Sequence, residues 1–210
     1  MGQKVNPKSF RIVTRLTWDS RWFADKRRYQ DLLLADYKLR QALFKRLKPA
    51  GLARVEISRS ITSLDVTLHV TRPGLVIGRG GSGLEDLKKF ISNTLHTEKK
   101  HKLKVELHIE PVKEPNLNAY LMASLIADQL AKRIPHRRVA NQAIEKIMTS
   151  GAKGVRIALA GRIAGAEISR REKFQHGRLP LSTIRENIDF ASVPSLTKSG
   201  YIGVKVWICN

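Results

Sequence analysis

Three segments of the chain alternate apolar and polar residues strictly, and this period of two restricts the fold more than any other feature. Ala53, Val55 and Ile57 alternate with Arg54, Glu56 and Ser58; Leu64, Val66, Leu68 and Val70 with Asp65, Thr67 and His69; Leu103, Val105, Leu107 and Ile109 with Lys104, Glu106, His108 and Glu110. Successive side chains of a strand point to opposite faces, so each segment predicts a strand with one buried face and one wet face. The first two read as a hairpin. Helices must cover the apolar face, and the flanking sequence supplies them. From Arg28 to Leu47, Leu32, Leu33, Leu39, Leu43 and Leu47 recur near helical spacing until Pro49-Ala50-Gly51 stops the run. Between the second and third strands stand Leu75-Val76-Ile77, a glycine cluster, and a helix bearing Leu84, Leu87, Ile91 and Leu95. Ser82 and Glu85 have capping-box spacing, which starts that helix just after the glycines.

Glu110-Pro111-Val112-Lys113-Glu114-Pro115 carries two prolines within five residues and predicts a domain junction. The expected domains are 1–112, an N-terminal arm with a core over about 39–110, and 113–210. The arm carries Phe10, Trp18, Trp22 and Phe23 without a clean period. In the second domain a helix is expected through Leu117, Tyr120, Leu121, Leu125 and Ile134, then a break at Pro135. A helix through Val139, Ala143, Ile144 and Ile147 follows, ending near Gly151. Strands are expected at Val155, Ile157 and Leu159, at Ala166 and Ile168, and at Val204, Val206 and Ile208. The predicted class is α+β in two layers, the second domain having two helices packed on a mostly antiparallel sheet.

Charge points to the partner. The chain has 39 Lys and Arg against 18 Asp and Glu, a net charge of +21, and a pI near 10.6. Self-repulsion of that size is relieved when a polyanion supplies the counter-charge, and nucleic acid is the leading candidate. No stretch reads as a membrane span or a basic amphipathic membrane helix. One cysteine, Cys209, excludes an internal disulfide framework and a multi-cysteine zinc site, which suits a reducing cytosol. The opening residues lack a secretory or transit pattern, and Gly2 lacks the context of a myristoylation signal. The six histidines show no ligand spacing, so neither metal nor cofactor is expected.

Gly78-Arg79-Gly80-Gly81-Ser82-Gly83 admits two phosphate-cradling readings. Gly78, Gly80 and Gly83 match the G-x-G-x-x-G of dinucleotide folds. Against this, Pro73-Gly74 leaves about three residues for the preceding strand, and the neighbouring strands alternate instead of being apolar throughout. The acid expected about 20 residues on would be Glu98, which lies among lysines. The alternative is the KH module, with Ile77-Gly78-Arg79-Gly80-Gly81 as the I-G-x-x-G between two helices. There the glycines admit a single-stranded sugar-phosphate backbone, and Arg79 adds charge. The order helix, strand, strand, helix, loop, helix, strand is that of the type II KH domain and decides between them.

The chain as a whole resembles the universal S-three family of small-subunit ribosomal proteins in its bacterial form. The resemblance rests on Met1-Gly2-Gln3-Lys4-Val5 with Pro7 and Arg11, Trp22-Phe23, Arg72-Pro73-Gly74 through Gly78, and Gly151-Ala152-Lys153-Gly154. It continues in Gly161-Arg162-Ile163, Gly165-Ala166-Glu167-Ile168, Gly177-Arg178 with Pro180-Leu181, and Gly203-Val204-Lys205-Val206-Trp207-Ile208. It implies a structural protein of the small-subunit head in the cytoplasmic ribosome, bound to small-subunit ribosomal RNA and lining the channel by which messenger RNA enters. Neighbouring proteins ten, fourteen and two of the same nomenclature are the implied protein partners. Arg137 and Arg138, with Arg133 nearby, match the family's message-facing arginines, which help to open messenger structure. Many members carry another lysine one turn later, where this chain has Asn141 and Gln142, and two lysines in the glycine loop, where this chain has Arg79 alone. Ribosomal RNA contacts are expected at Lys4, Arg11, Lys26, Arg27, Arg28, Lys153, Arg162, Arg170, Arg171 and Arg178, together with the Lys99-Lys100-Lys102 and Lys173 charges.

No Walker A lysine, nucleophile elbow or partnered cysteine is present, so no catalytic residue is expected and the chain does not read as an enzyme. The rival reading is a free KH-type RNA chaperone or regulator that visits ribosomes transiently.

Overall fold

The computed structural model describes residues 4–12, 14–60, 62–95 and 104–210. In chain order the elements are a helical turn α1 (Pro7–Phe10), β1 (Ser20–Arg21), α2 (Lys26–Arg46), β2 (Leu52–Arg59), β3 (Ser63–Val70), α3 (Pro73–Ile77), α4 (Ser82–Leu95) and β4 (Lys104–Pro111). They continue with α5 (Ala119–Ala131), α6 (His136–Thr149), β5 (Gly154–Gly161), β6 (Arg170–Gly177), β7 (Ile188–Thr197) and β8 (Gly200–Cys209). The chain forms two compact units, Trp18–Lys113 and a second unit built from both ends, Met1–Thr17 with Glu114–Asn210. Expectation and structure differ here, since the start of the arm belongs with the second unit and not with the first domain.

In the unit Trp18–Lys113 the sheet order is β1-β2-β3-β4. Antiparallel β2 and β3 pair Val55 with Leu68 and Ile57 with Val66, so the alternating apolar residues share one face. That face packs against Leu39 and Leu43 of α2 and Leu87 and Ile91 of α4 in a single core. Each fully buried Leu or Ile contributes about 1.5–3 kcal/mol relative to exposure. One-sided alternation suggests antiparallel pairing throughout, but β4 runs parallel to β3, with Leu64 opposite Val105 and Val66 opposite Leu107. The crossover through α3 and α4 dictates this direction. On α2 the spacing misplaces Leu33, which is exposed, while Asp36 is buried. Asp36 accepts hydrogen bonds from Arg59 Nε and Trp22 Nε1, both at 2.8 Å, which compensates the buried charge and ties residues beside β1 to the helix.

In the other unit the four strands are antiparallel in the order β6-β5-β8-β7. Val155, Ile157 and Leu159 of β5 and Val204, Val206 and Ile208 of β8 share one core with α5 and α6. Ala119, Ala123 and Ala127 recur every four residues along α5, and all three are buried in that core. Ser195 on β7 donates to the Ala127 carbonyl at 2.7 Å. No strand forms at Ala166 and Ile168; a 3-10 turn spans Ile163–Gly165, and Ile168 is 84% exposed. The strand begins instead at Arg170.

Arg11 explains where the arm goes. It is 1% exposed, and its guanidinium donates to four carbonyls: Glu186 at 2.8 Å, Pro7 at 3.0 Å, Leu181 at 3.2 Å and Thr183 at 2.7 Å. Lys8 adds an ion pair with Asp189 at 2.9 Å, and Asp189 also accepts from the Ala119 N–H at the start of α5. No helix among the described residues is long and apolar enough to cross a membrane.

Candidate nucleic-acid interface

The glycine loop joins two helices. α3 ends at Ile77, Gly78 follows at φ 71°, and Arg79–Gly81 form a 3-10 turn with Gly80 at φ 60° and Gly81 at φ 81°. A Cβ at Gly80 or Gly81 would meet nothing within 4 Å, so glycine is required there by the left-handed backbone and not by crowding. Gly83 is the reverse case: its Cβ would lie 2.5 Å from the Val76 carbonyl oxygen and 2.9 Å from that of Ile77. Its role is to let α4 approach α3. Arg79 and Gly80 are exposed, as is Leu75 beside them. The expected capping box is absent, because Ser82 is already helical and its hydroxyl donates to the Arg79 carbonyl at 3.0 Å. Glu85 in the first turn of α4 and Asp86 just after it are exposed acids, which leaves Arg79 as the cation of the loop.

A second site lies at the junction of α5 and α6. The Arg133 N–H donates to the Leu130 carbonyl and the Ile134 N–H to that of Gln129, closing α5 in a Schellman arrangement. The first of these donors, Arg133, has φ 60°, a position that is normally glycine. Then α6 opens with His136, Arg137 and Arg138, with no acid in its first turn and no side-chain cap. Arg137 and Arg138 are exposed and form no ion pair among the described residues. Asn141 and Gln142, one turn on, are exposed amides. His136 turns inward and places Nε2 2.8 Å from Glu172 Oε2 on β6. Neither His136 nor Glu172 stood out in the sequence; the signal is a lone glutamate set in the basic run Arg170-Arg171-Glu172-Lys173.

The expected ribosomal RNA contacts divide by exposure. Lys4, Lys26, Arg27, Arg28, Arg171 and Arg178 are exposed and form no ion pair among the described residues. Arg162 is exposed and donates to the Ala166 carbonyl, Lys153 lies 3.6 Å from Glu186, and Arg170 is paired with Glu172 at 2.8 Å. Arg11 cannot meet phosphate in this fold, because burial has committed its donors to backbone carbonyls. The cluster at Lys99, Lys100 and Lys102 and the alternative acid Glu98 lie outside the described residues. Cys209 is buried, and burial together with the Glu186 carboxylate pushes its thiol above the ordinary value, unsuited to nucleophilic work. Among the described residues no group of three or more His, Cys, Asp or Glu could hold a metal ion.

Known proteins match over the whole length. A KH domain model matches residues 38–117, and the C-terminal domain of ribosomal protein S3 matches residues 126–208. Small ribosomal subunit protein uS3 of Desulforamulus reducens is 44% identical over 208 residues, covering 99% of this chain and 91% of that protein. The chain belongs to the uS3 family. The uS3 protein of Clostridioides difficile is also 44% identical, over all of this chain and 76% of its own length. That of Dinoroseobacter shibae is 44% identical over 99% of this chain and 84% of its own. Members of the uS3 family are structural ribosomal proteins, so the chain is not an enzyme, and its KH half is an RNA-binding fold.

Proposed function

We propose that the chain is a structural constituent of the small-subunit head that binds small-subunit ribosomal RNA, packs beside neighbouring small-subunit proteins and helps form the channel by which messenger RNA enters. Arg133, Arg137 and Arg138 face the message. The carrying observation is that this cationic cluster opposes local stability. Positive side chains at a helix N-terminus oppose the helix dipole by about 0.3–1 kcal/mol each, and left-handed backbone at a non-glycine residue costs about 1–3 kcal/mol. A sequence selected for stability alone would place an acid at 137 and glycine at 133. The same penalty recurs on α2, whose first turn is Lys26-Arg27-Arg28 without an acid. Free N–H groups together with guanidinium groups make both helix starts phosphate sites. The loop Gly78–Gly81 offers backbone to a single strand, with Arg79 as its charge.

The test is translation by subunits carrying Arg137→Ala with Arg138→Ala. Structured messages slow more than unstructured ones, and equal slowing sinks the channel role. Arg133→Gly separates charge from architecture: it raises the melting temperature by relieving the strained turn, yet slows structured messages. The rival, a free RNA chaperone, is excluded by one copy per salt-washed subunit and supported by loss on washing.

A further inference from the structure

The first turn of α6 lacks an anion of its own, and β6 supplies one. Glu172 Oε2 lies 2.8 Å from His136 Nε2 while Oε1 accepts from Arg170 Nε at 2.8 Å. The side chains of His136 and Glu172 are only 12% and 20% exposed. The Phe174 ring, next but one on the strand, packs 6.4 Å from the imidazole. The His136 approach is a close polar contact, an ion pair when the imidazole is protonated, and not an aligned hydrogen bond. Burial raises the Glu172 carboxyl, but the Arg170 hydrogen bond and the charges of His136 and Arg170 outweigh it, so the group sits below the ordinary glutamate value and is ionised at neutral pH.

We propose that Glu172 is a positioning residue: through His136 it fixes the N-terminus of α6 to edge strand β6 and so sets the directions in which Arg137 and Arg138 leave the helix. The inference rests on those arginines meeting the message. Without an N-cap side-chain hydrogen bond or a first-turn acid, this end of α6 lacks side-chain capping of its own. Its first residue is therefore the place where one cross-element contact has most leverage. Cations that hold a moving strand act only if their own geometry is held by surrounding side chains. Arg170, through its Nε, is the second cation on Glu172.

The experiment uses full-length chain in assembled subunits and measures the ratio of translation rates on unstructured and structured messages. Glu172→Gln raises that ratio roughly two- to five-fold, the scale of one partly buried ion pair. His136→Gln gives the same change, and the double variant adds nothing, because both remove one contact. Incorporation into subunits stays at one copy. If Glu172→Gln leaves the ratio unchanged while Arg137→Ala with Arg138→Ala raises it, the positioning role is overturned and the message contact stands. If neither variant moves the ratio, the message contact itself fails and the positioning role with it. Reduced incorporation with equal slowing on both messages shows a purely structural pair and also overturns the proposal.

Discussion

Among the described residues, Arg11 is an arginine in surroundings unlike those of its type. A buried guanidinium normally meets a carboxylate, yet four backbone carbonyls surround this one. Arg11→Met keeps much of the volume and strands those carbonyls, so the denaturation midpoint should fall by an amount equivalent to about 3–5 kcal/mol. Urea titration of the purified chain checks this, and a loss under 1 kcal/mol would show that the carbonyls are satisfied some other way. The sequence did not reveal the role: an arginine in a basic arm reads as a phosphate contact, and its partners stand as far as 175 residues away. For Arg137 and Arg138 the sequence itself marked only the break at Pro135, which the structure shows as the start of α6; their expected role came from the family resemblance.

At the level of elements, the two glycine-dependent features of the loop separate cleanly. Gly83→Ala drives a methyl group into the α3 carbonyls and should cost about 1–3 kcal/mol, forcing α3 away from α4. Gly80→Ala meets open space and pays only its backbone conformation, about 1–2 kcal/mol. Backbone amide exchange distinguishes them, with Gly83→Ala loosening protection along α4 and Gly80→Ala leaving it intact. Strands β2, β3, β5 and β8 were readable because each buries every second side chain. The edge strands β6 and β7 were not, since Arg170-Arg171-Glu172-Lys173 is largely solvated and Pro194 interrupts the second pattern. The parallel placement of β4 was equally hidden, because alternation reports faces and not direction.

For the whole molecule, the excess of positive charge predicts how binding responds to ions. If about five exposed cations neutralise phosphates, affinity for small-subunit ribosomal RNA falls roughly ten- to twenty-fold for each doubling of salt. Filter binding at two salt concentrations measures this slope, and less than a two-fold loss would refute an electrostatic interface. The division into units was only partly legible: the proline pair near residue 113 signals a change of unit, whereas the return of the arm rests on contacts of Arg11 and Lys8 with residues far along the chain. That return has a temporal consequence. Leu181, which receives Arg11, lies 170 residues downstream, so during elongation at about 5–20 residues per second the leading segment waits roughly ten to thirty seconds for its seat to exist. The strands of Trp18–Lys113 are all synthesised well before then, so that unit has its whole sheet available while the segment around Arg11 still lacks its seat.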